Sequence, residues 1–250
     1  MKANLEKLNR ALLRYITMAD SDAKQVKILH DIRVTARKLI VVMHPDDMLT
    51  LGLKKLIQSS NKLRDLDVFT SEILPLFPKK LHTAFKDIKL VLQDTRVEMN
   101  HDFKSLVGSE WLDDLPQTQG LSFITQQQSE ANLSRHQMPL NEIEKRLKKS
   151  IRELNLLDLE DKQLHKIRLV IKRLHYQLER FYPKEKRSIA LTKRMQEKLG
   201  TFHDFYQAIK LLKQHKEQIK AKAYKTAIGF LEEQKNQTIK ELRKDIRKRL

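Results

Sequence analysis

Apolar residues recur at helical spacing through most of this chain. Leu5, Leu8, Leu12 and Leu13, with Tyr15 and Ile16, form a stripe that predicts a helix over about 3–19. Ser21 or Asp22 offers an N-cap for a second helix reaching about Met43, closed by His44 and Pro45. Asp46 offers the next cap, and Leu49, Leu53, Leu56 and Ile57 carry that stripe on through Leu63, Leu66 and Phe69 towards Pro75. A fourth helix is expected from Pro78 to about Leu106. Residues 107–139 break the pattern with Gly108, Pro116, Gly120, Pro139 and the tract Gln126, Gln127, Gln128. That is linker composition, with short helical pieces expected around Trp111 and Leu115. Periodicity resumes at Leu140. It predicts helices over about 140–157, 160–182 (ending before Pro183) and 185–199, a continuation interrupted at Gly200, and a long basic helix to Leu250. The fold class expected is all-α.

One of these helices occurs twice. Residues 30–39 read His-Asp-Ile-Arg-Val-Thr-Ala-Arg-Lys-Leu, and residues 165–174 read His-Lys-Ile-Arg-Leu-Val-Ile-Lys-Arg-Leu. His30 answers to His165, Arg33 to Arg168, Arg37 to Lys172 and Lys38 to Arg173. A second pair of landmarks follows each copy: Leu-Arg-Asp-Leu at 63–66 and Phe-His-Asp-Phe at 202–205. The economical expectation is a duplicated domain spanning 1–250, with helical halves at 3–106 and 140–250 joined by the linker at 107–139.

Each residue of an α-helix advances about 100°, so positions i, i+3, i+7 and i+11 share a narrow arc. His30, Arg33 and Arg37 line one such arc, and His165, Arg168, Lys172 and Tyr176 line the other. Leu29, Ile32, Ala36, Leu39, Ile40 and Met43 form the opposite, apolar side of the first copy; Leu164, Ile167, Ile171, Leu174 and Leu178 form that of the second. The stripes are expected to pack into bundles and leave the cations pointing away. A solvated surface helix would interleave both signs, yet no acid stands at i+4 on this face to pair with Arg33 or Arg37.

Composition agrees with long helices and short loops: charged residues make up 33%, aromatics 6%, and there are only 5 glycines and 6 prolines. The chain has no cysteine, so disulfides and thiolate metal sites are excluded. No apolar segment follows Met1, and the longest aliphatic run, Leu39 to Met43, is far too short to span a bilayer. A soluble, cytoplasmic protein is expected, without a membrane partner. The net charge of +18 is uneven: residues 141–250 hold 30 Lys and Arg against 15 Asp and Glu. Such a field gathers polyanions. Guanidinium forks bind phosphate oxygens in pairs, while lysine and protonated histidine add point charges.

The two motif pairs resemble the signature of the conserved histidine α-helical domain family, CHAD. The His-x-x-Arg-x-x-x-Arg/Lys-Arg-Leu element is matched at 30–39 and 165–174, Leu-Arg-Asp-Leu-Asp-Val stands at 63–68, and Leu199-Gly200-Thr201-Phe202-His203-Asp204 is similar to its late counterpart. The resemblance implies two four-helix-bundle-like halves related by pseudo-twofold symmetry. It also implies a basic central groove that binds inorganic polyphosphate, with an association with polyphosphate granules in some members. Carried onto this chain, the contacts are His30, Arg33, Arg37, Lys38, His165, Arg168, Lys172 and Arg173, with Tyr176 lining the groove. Lys62, Arg64, Arg194, Lys198 and His203 are further candidates, and Lys55 and Lys193 lie nearby in sequence. Three positions depart from the family pattern: Ile40 and His175 where a cation is usual, and His203 where Asn is usual. Histidines there are charged mainly below about pH 6.5.

Catalysis is not expected. Glu142-Ile143-Glu144-Lys145 is one residue short of the Glu-x-Glu-x-Lys element of a triphosphate-hydrolysing domain, and Asp65 and Asp67 point to different helix faces. No P-loop occurs, and no cofactor or metal is expected. Nucleic acid is the second choice of partner, through the basic carboxy-terminal half and the run Arg243 to Arg249, but the aromatics are too few and scattered for base stacking. A scaffold role is the third.

Overall fold

The computed structural model describes residues 2–20, 24–43, 47–108, 137–155 and 159–247. The expected caps at Ser21, Asp22 and Asp46, the stop at His44 and Pro45, the pieces around Trp111 and Leu115, and the end of the last helix at Leu250 lie outside these residues. Among the described residues there is no strand, and the protein is all-α. The helices are α1 (Lys2–Thr17), α2 (Lys24–Val42), α3 (Met48–Ser59), α4 (Asn61–Val68), a short α5 (Lys79–His82), α6 (Lys86–Val107), α7 (Leu140–Leu154), α8 (Asp161–Phe181), α9 (Lys186–Gln214) and α10 (Ala221–Arg247). No helix among them is long and apolar enough to cross a membrane.

Two departures from the sequence pattern have local causes. The long stripe expected from Asp46 towards Pro75 is divided into α3, α4, a π-helical turn at Phe69–Ile73 and a 3-10 turn at Leu74–Leu76. The first break falls at Ser60, whose side chain turns back onto the carbonyls of Leu56 and Ile57. Conversely, Gly200 does not interrupt its helix, and α9 runs unbroken from Lys186 to Gln214. A glycine inside a helix costs about 1 kcal/mol relative to alanine. Burial of the flanking Leu199, Phe202 and Phe205 offsets that cost.

The chain divides into two compact units, Met1–Asp67 with Lys89–Gln137, and Val68–Ile88 with Met138–Leu250. The first unit buries Leu5, Leu8, Leu12 and Tyr15 of α1, Leu29, Ile32, Ala36 and Leu39 of α2, and Leu53 and Leu56 of α3, with α2 packed on both α1 and α3. A polar network closes one side of it. Tyr15 donates to Asn100 Oδ1 at 2.5 Å, Asn100 donates to Asp20 and Gln25, and Lys104 donates to Asp20 and the Met18 carbonyl. Burial pushes the Tyr15 hydroxyl well above its ordinary range, so it remains a donor.

The second unit has a core drawn from four helices: Ile143, Leu147, Ile151 and Leu154 of α7, Leu164 to Leu178 of α8, Met195, Leu199 and Phe202 of α9, and Ile239, Leu242 and Ile246 of α10. Glu160 and Gln163 form a capping box at the start of α8, the Glu160 amide donating to Gln163 Oε1 at 2.8 Å. Residues 68–88, expected in the first half, belong here. Phe77 gathers Phe69, Phe85 and Phe230 at ring-centroid distances of 6.4, 5.2 and 5.5 Å. A stretch this aromatic in an aromatic-poor chain buries where its rings find one another.

Candidate functional site

Helix α2 carries the first copy of the repeated motif in the first unit. His30 and Lys38 are exposed and Arg37 is half-buried. Arg33 is not pointed away from the bundle as expected. It is buried, 6% exposed, and its guanidinium is spent on the junction between α3 and α4. It donates to the Ile57 carbonyl at 2.7 Å, Ser60 Oγ at 2.5 Å and Asn61 Oδ1 at 2.8 Å. Ile57 lies in the last turn of α3, where backbone carbonyls lack intrahelical partners and the helix dipole is negative. The last turn of α3 contains no basic residue of its own. Arg33 therefore supplies from a neighbouring helix the cation and the donor that this helix end needs.

On α4, Lys62 is exposed, and Arg64 and Asp65 are half-buried. Asp67 faces inward, 1% exposed, and accepts from Arg96 of α6 at 2.5 Å. Burial raises its carboxyl above the usual carboxylate range, although the Arg96 hydrogen bond and charge pull the other way.

The second motif copy lies on α8 and is used differently. His165, Arg168 and Lys172 are half-buried along one arc, with Arg173 exposed beside them. His203 of α9 joins them: its ring centroid lies 5.1 Å from that of His165, the planes tilted by 38°. Burial drives the His203 imidazole down to about 3, and the positive fields of Arg168, His165 and Lys172 act in the same direction. His165 is lowered as well, by burial and then by Arg168. Both rings are neutral near pH 7, so the positive charge of this face comes from Arg168 and Lys172. Tyr206 stacks on His203, 6.4 Å between centroids and 25° between planes, and Gln207 approaches its Nε2 at 3.4 Å. Neither was predicted from the sequence, although spacings of three and four from His203 on a helix are the signal for them.

Other predicted contacts are turned elsewhere. Arg194 pairs with Asp245 at 2.9 Å and Lys198 with Glu241 at 2.6 Å, both acids on α10. Their charge is balanced at the α9–α10 interface, apart from the histidine pair. His175 is buried against Thr192 of α9 at 3.2 Å, with Glu179 3.5 Å from its other nitrogen. Its ring is taken up by the contact between α8 and α9, although position 175 lies only seven residues from Arg168 and so close to the motif arc. Tyr176 is half-buried next to it, 5.9 Å between rings. Leu169 is exposed next to the arc on α8. Among the described residues no group of three metal-ligating side chains is assembled.

A family model described as the CHAD domain matches residues 41–213. The chain belongs to the CHAD domain family. The crystal structure of the CHAD domain from the plant Ricinus communis superposes with a TM-score of 0.74 at 22% identity, covering 98% of this chain and 88% of that one. That likeness concerns the fold, and it extends over both units of this CHAD domain. A comparison with curated proteins finds no match.

Proposed function

We propose that this CHAD domain binds inorganic polyphosphate, without transforming it, through the cations of its two motif helices. The observation that carries the proposal is the cluster of Arg168 and Lys172 with His165 and His203 in the second unit. Two fixed positive charges beside two adjacent imidazoles offer a linear polyanion both ion pairs and ring N–H donors. Hydrogen bonds to charged groups contribute about 1.5–3 kcal/mol each, so a few contacts repeated along a chain of phosphates give tight binding. In the first unit, Arg37, Lys38 and His30 provide the corresponding contacts, while Arg33 holds the helix junction. The net charge of +18 supports capture of the polyanion, and the resemblance of the motifs selects polyphosphate among polyanions. Association with polyphosphate granules in the cytoplasm follows from the same proposal.

The test is a competition of labelled long-chain polyphosphate against duplex DNA and RNA at two salt concentrations. Polyphosphate is expected to win at physiological salt, and Arg168→Glu with Lys172→Glu is expected to abolish its binding while circular dichroism stays helical. Equal competition by duplex DNA would instead assign the basic surface to a phosphodiester backbone.

A further inference from the structure

The two adjacent histidines contribute no charge to the face they occupy, and that sets up a coupling. Gln207 presents its amide nitrogen to His203 Nε2 at 3.4 Å, a contact that suits a ring with Nε2 unprotonated. From α8 the charged groups facing the ring are Arg168 and Lys172, with His165 as the other titratable group. From α9 itself come Asp204 and Tyr206, one and three residues on. On α10, Lys235 and Glu232 pair with each other and Lys235 also with Asp161, beside Phe202. In the π-helical turn packed on α9, Glu72 is the only ionisable side chain. Of these groups, Arg168, His165 and Lys172 are the ones whose positive fields press on the His203 ring.

We propose that this face takes up a proton when it binds polyphosphate and that the His165–His203 pair receives it; this deepens, and rests on, the polyphosphate reading of the same face. Phosphates laid against Arg168 and Lys172 replace a repelling positive field at the rings with an attracting negative one. The imidazolium that forms can donate to a phosphate oxygen once Gln207 turns its amide oxygen towards it. Rings 5.1 Å apart cannot both become cationic cheaply, so the pair takes up one shared proton rather than two. Bound proton and bound anion then stabilise each other, and acidification tightens binding.

Calorimetric titration of the full chain with long-chain polyphosphate, in two buffers of different ionisation enthalpy, reads the proton directly. Long chains are chosen because only their terminal phosphates titrate near neutrality. The wild type is expected to show a buffer-dependent enthalpy and an affinity that rises by up to about tenfold per pH unit between pH 8 and 6. His203→Asn and His165→Gln should each diminish both effects, and His101→Gln, outside the cluster on α6, should preserve them. Two variants are used so that one can fail to fold, by circular dichroism, without ending the test. Equal enthalpies in both buffers with a flat affinity profile, or full proton uptake in the two histidine variants, would overturn the proposal and leave polyphosphate binding standing. Absence of polyphosphate binding at every pH would sink the polyphosphate reading itself.

Discussion

Arg33→Met separates a structural arginine from a ligand-binding one. The guanidinium donates charge-assisted hydrogen bonds to Ile57, Ser60 and Asn61, and these three at about 1.5–3 kcal/mol each would total roughly 4.5–9 kcal/mol if they were additive. They are not all lost. Asn61 is exposed and recovers water, and Ser60 keeps its own hydrogen bonds to Leu56 and Ile57. Methionine preserves the packing of the stem and removes a charge whose burial was itself unfavourable. What remains is the under-satisfied end of α3, with its dipole uncompensated, and a net loss of about 2–4 kcal/mol. For a chain of this size that lowers the thermal midpoint by roughly 4–16 °C. Thermal unfolding followed by circular dichroism reads the shift, and polyphosphate affinity is measured well below the new midpoint, where binding should be largely kept. An Arg33→Met protein that melts like wild type but no longer binds polyphosphate would show that Arg33 faces the ligand, and the cap argument would fail.

Arg168→Met should do the reverse, lowering polyphosphate affinity by roughly 10–100-fold with little change in midpoint, as expected for loss of one or two charge-assisted contacts; filter binding and melting curves check it. Lys198→Ala, whose amine is paired with Glu241, should change affinity by less than about threefold, since exposed pairs at an interface contribute little beyond it. Arg96→Met strands the buried carboxylate of Asp67 and should cost about 3–5 kcal/mol in urea unfolding. The carboxyl of Asp67 is raised in the folded state, so the fold binds that proton more tightly than the unfolded chain does. Relative to Asp67→Asn, the wild type should then lose stability as pH climbs from the ordinary aspartate range upward through the raised value, and a stability gap independent of pH would contradict this.

Much of the fold was legible because helices announce themselves locally. The stripe of Leu164, Ile167, Ile171, Leu174 and Leu178, bounded by Glu160 and Pro183, located α8 to within a residue or two. The site was legible only in part, for a reason visible at Arg33 and Arg168. Periodicity places both on the same arc of equivalent motifs, but it does not say what stands opposite. Opposite Arg33 is the end of α3; next to Arg168 are His165 and His203. The partners of Arg194 and Lys198 were hidden likewise, because Asp245 and Glu241 lie 51 and 43 residues away in sequence and meet them only across packed helices.

The sequence by itself determined that this is an all-α, strongly basic chain with a motif stated twice, since helix period, composition and charge are properties of neighbouring residues. Tertiary structure decided which cations are drawn into the bundle, as Arg33 is, and which stay half-buried beside the histidines, as Arg168 does. A buried guanidinium must find its donors' partners inside the protein, whereas a half-buried one beside other cations keeps a field that draws an anion. It also decided that His203 lies against His165 and that residues 68–88 join the second unit, because both depend on long-range packing that no local pattern records.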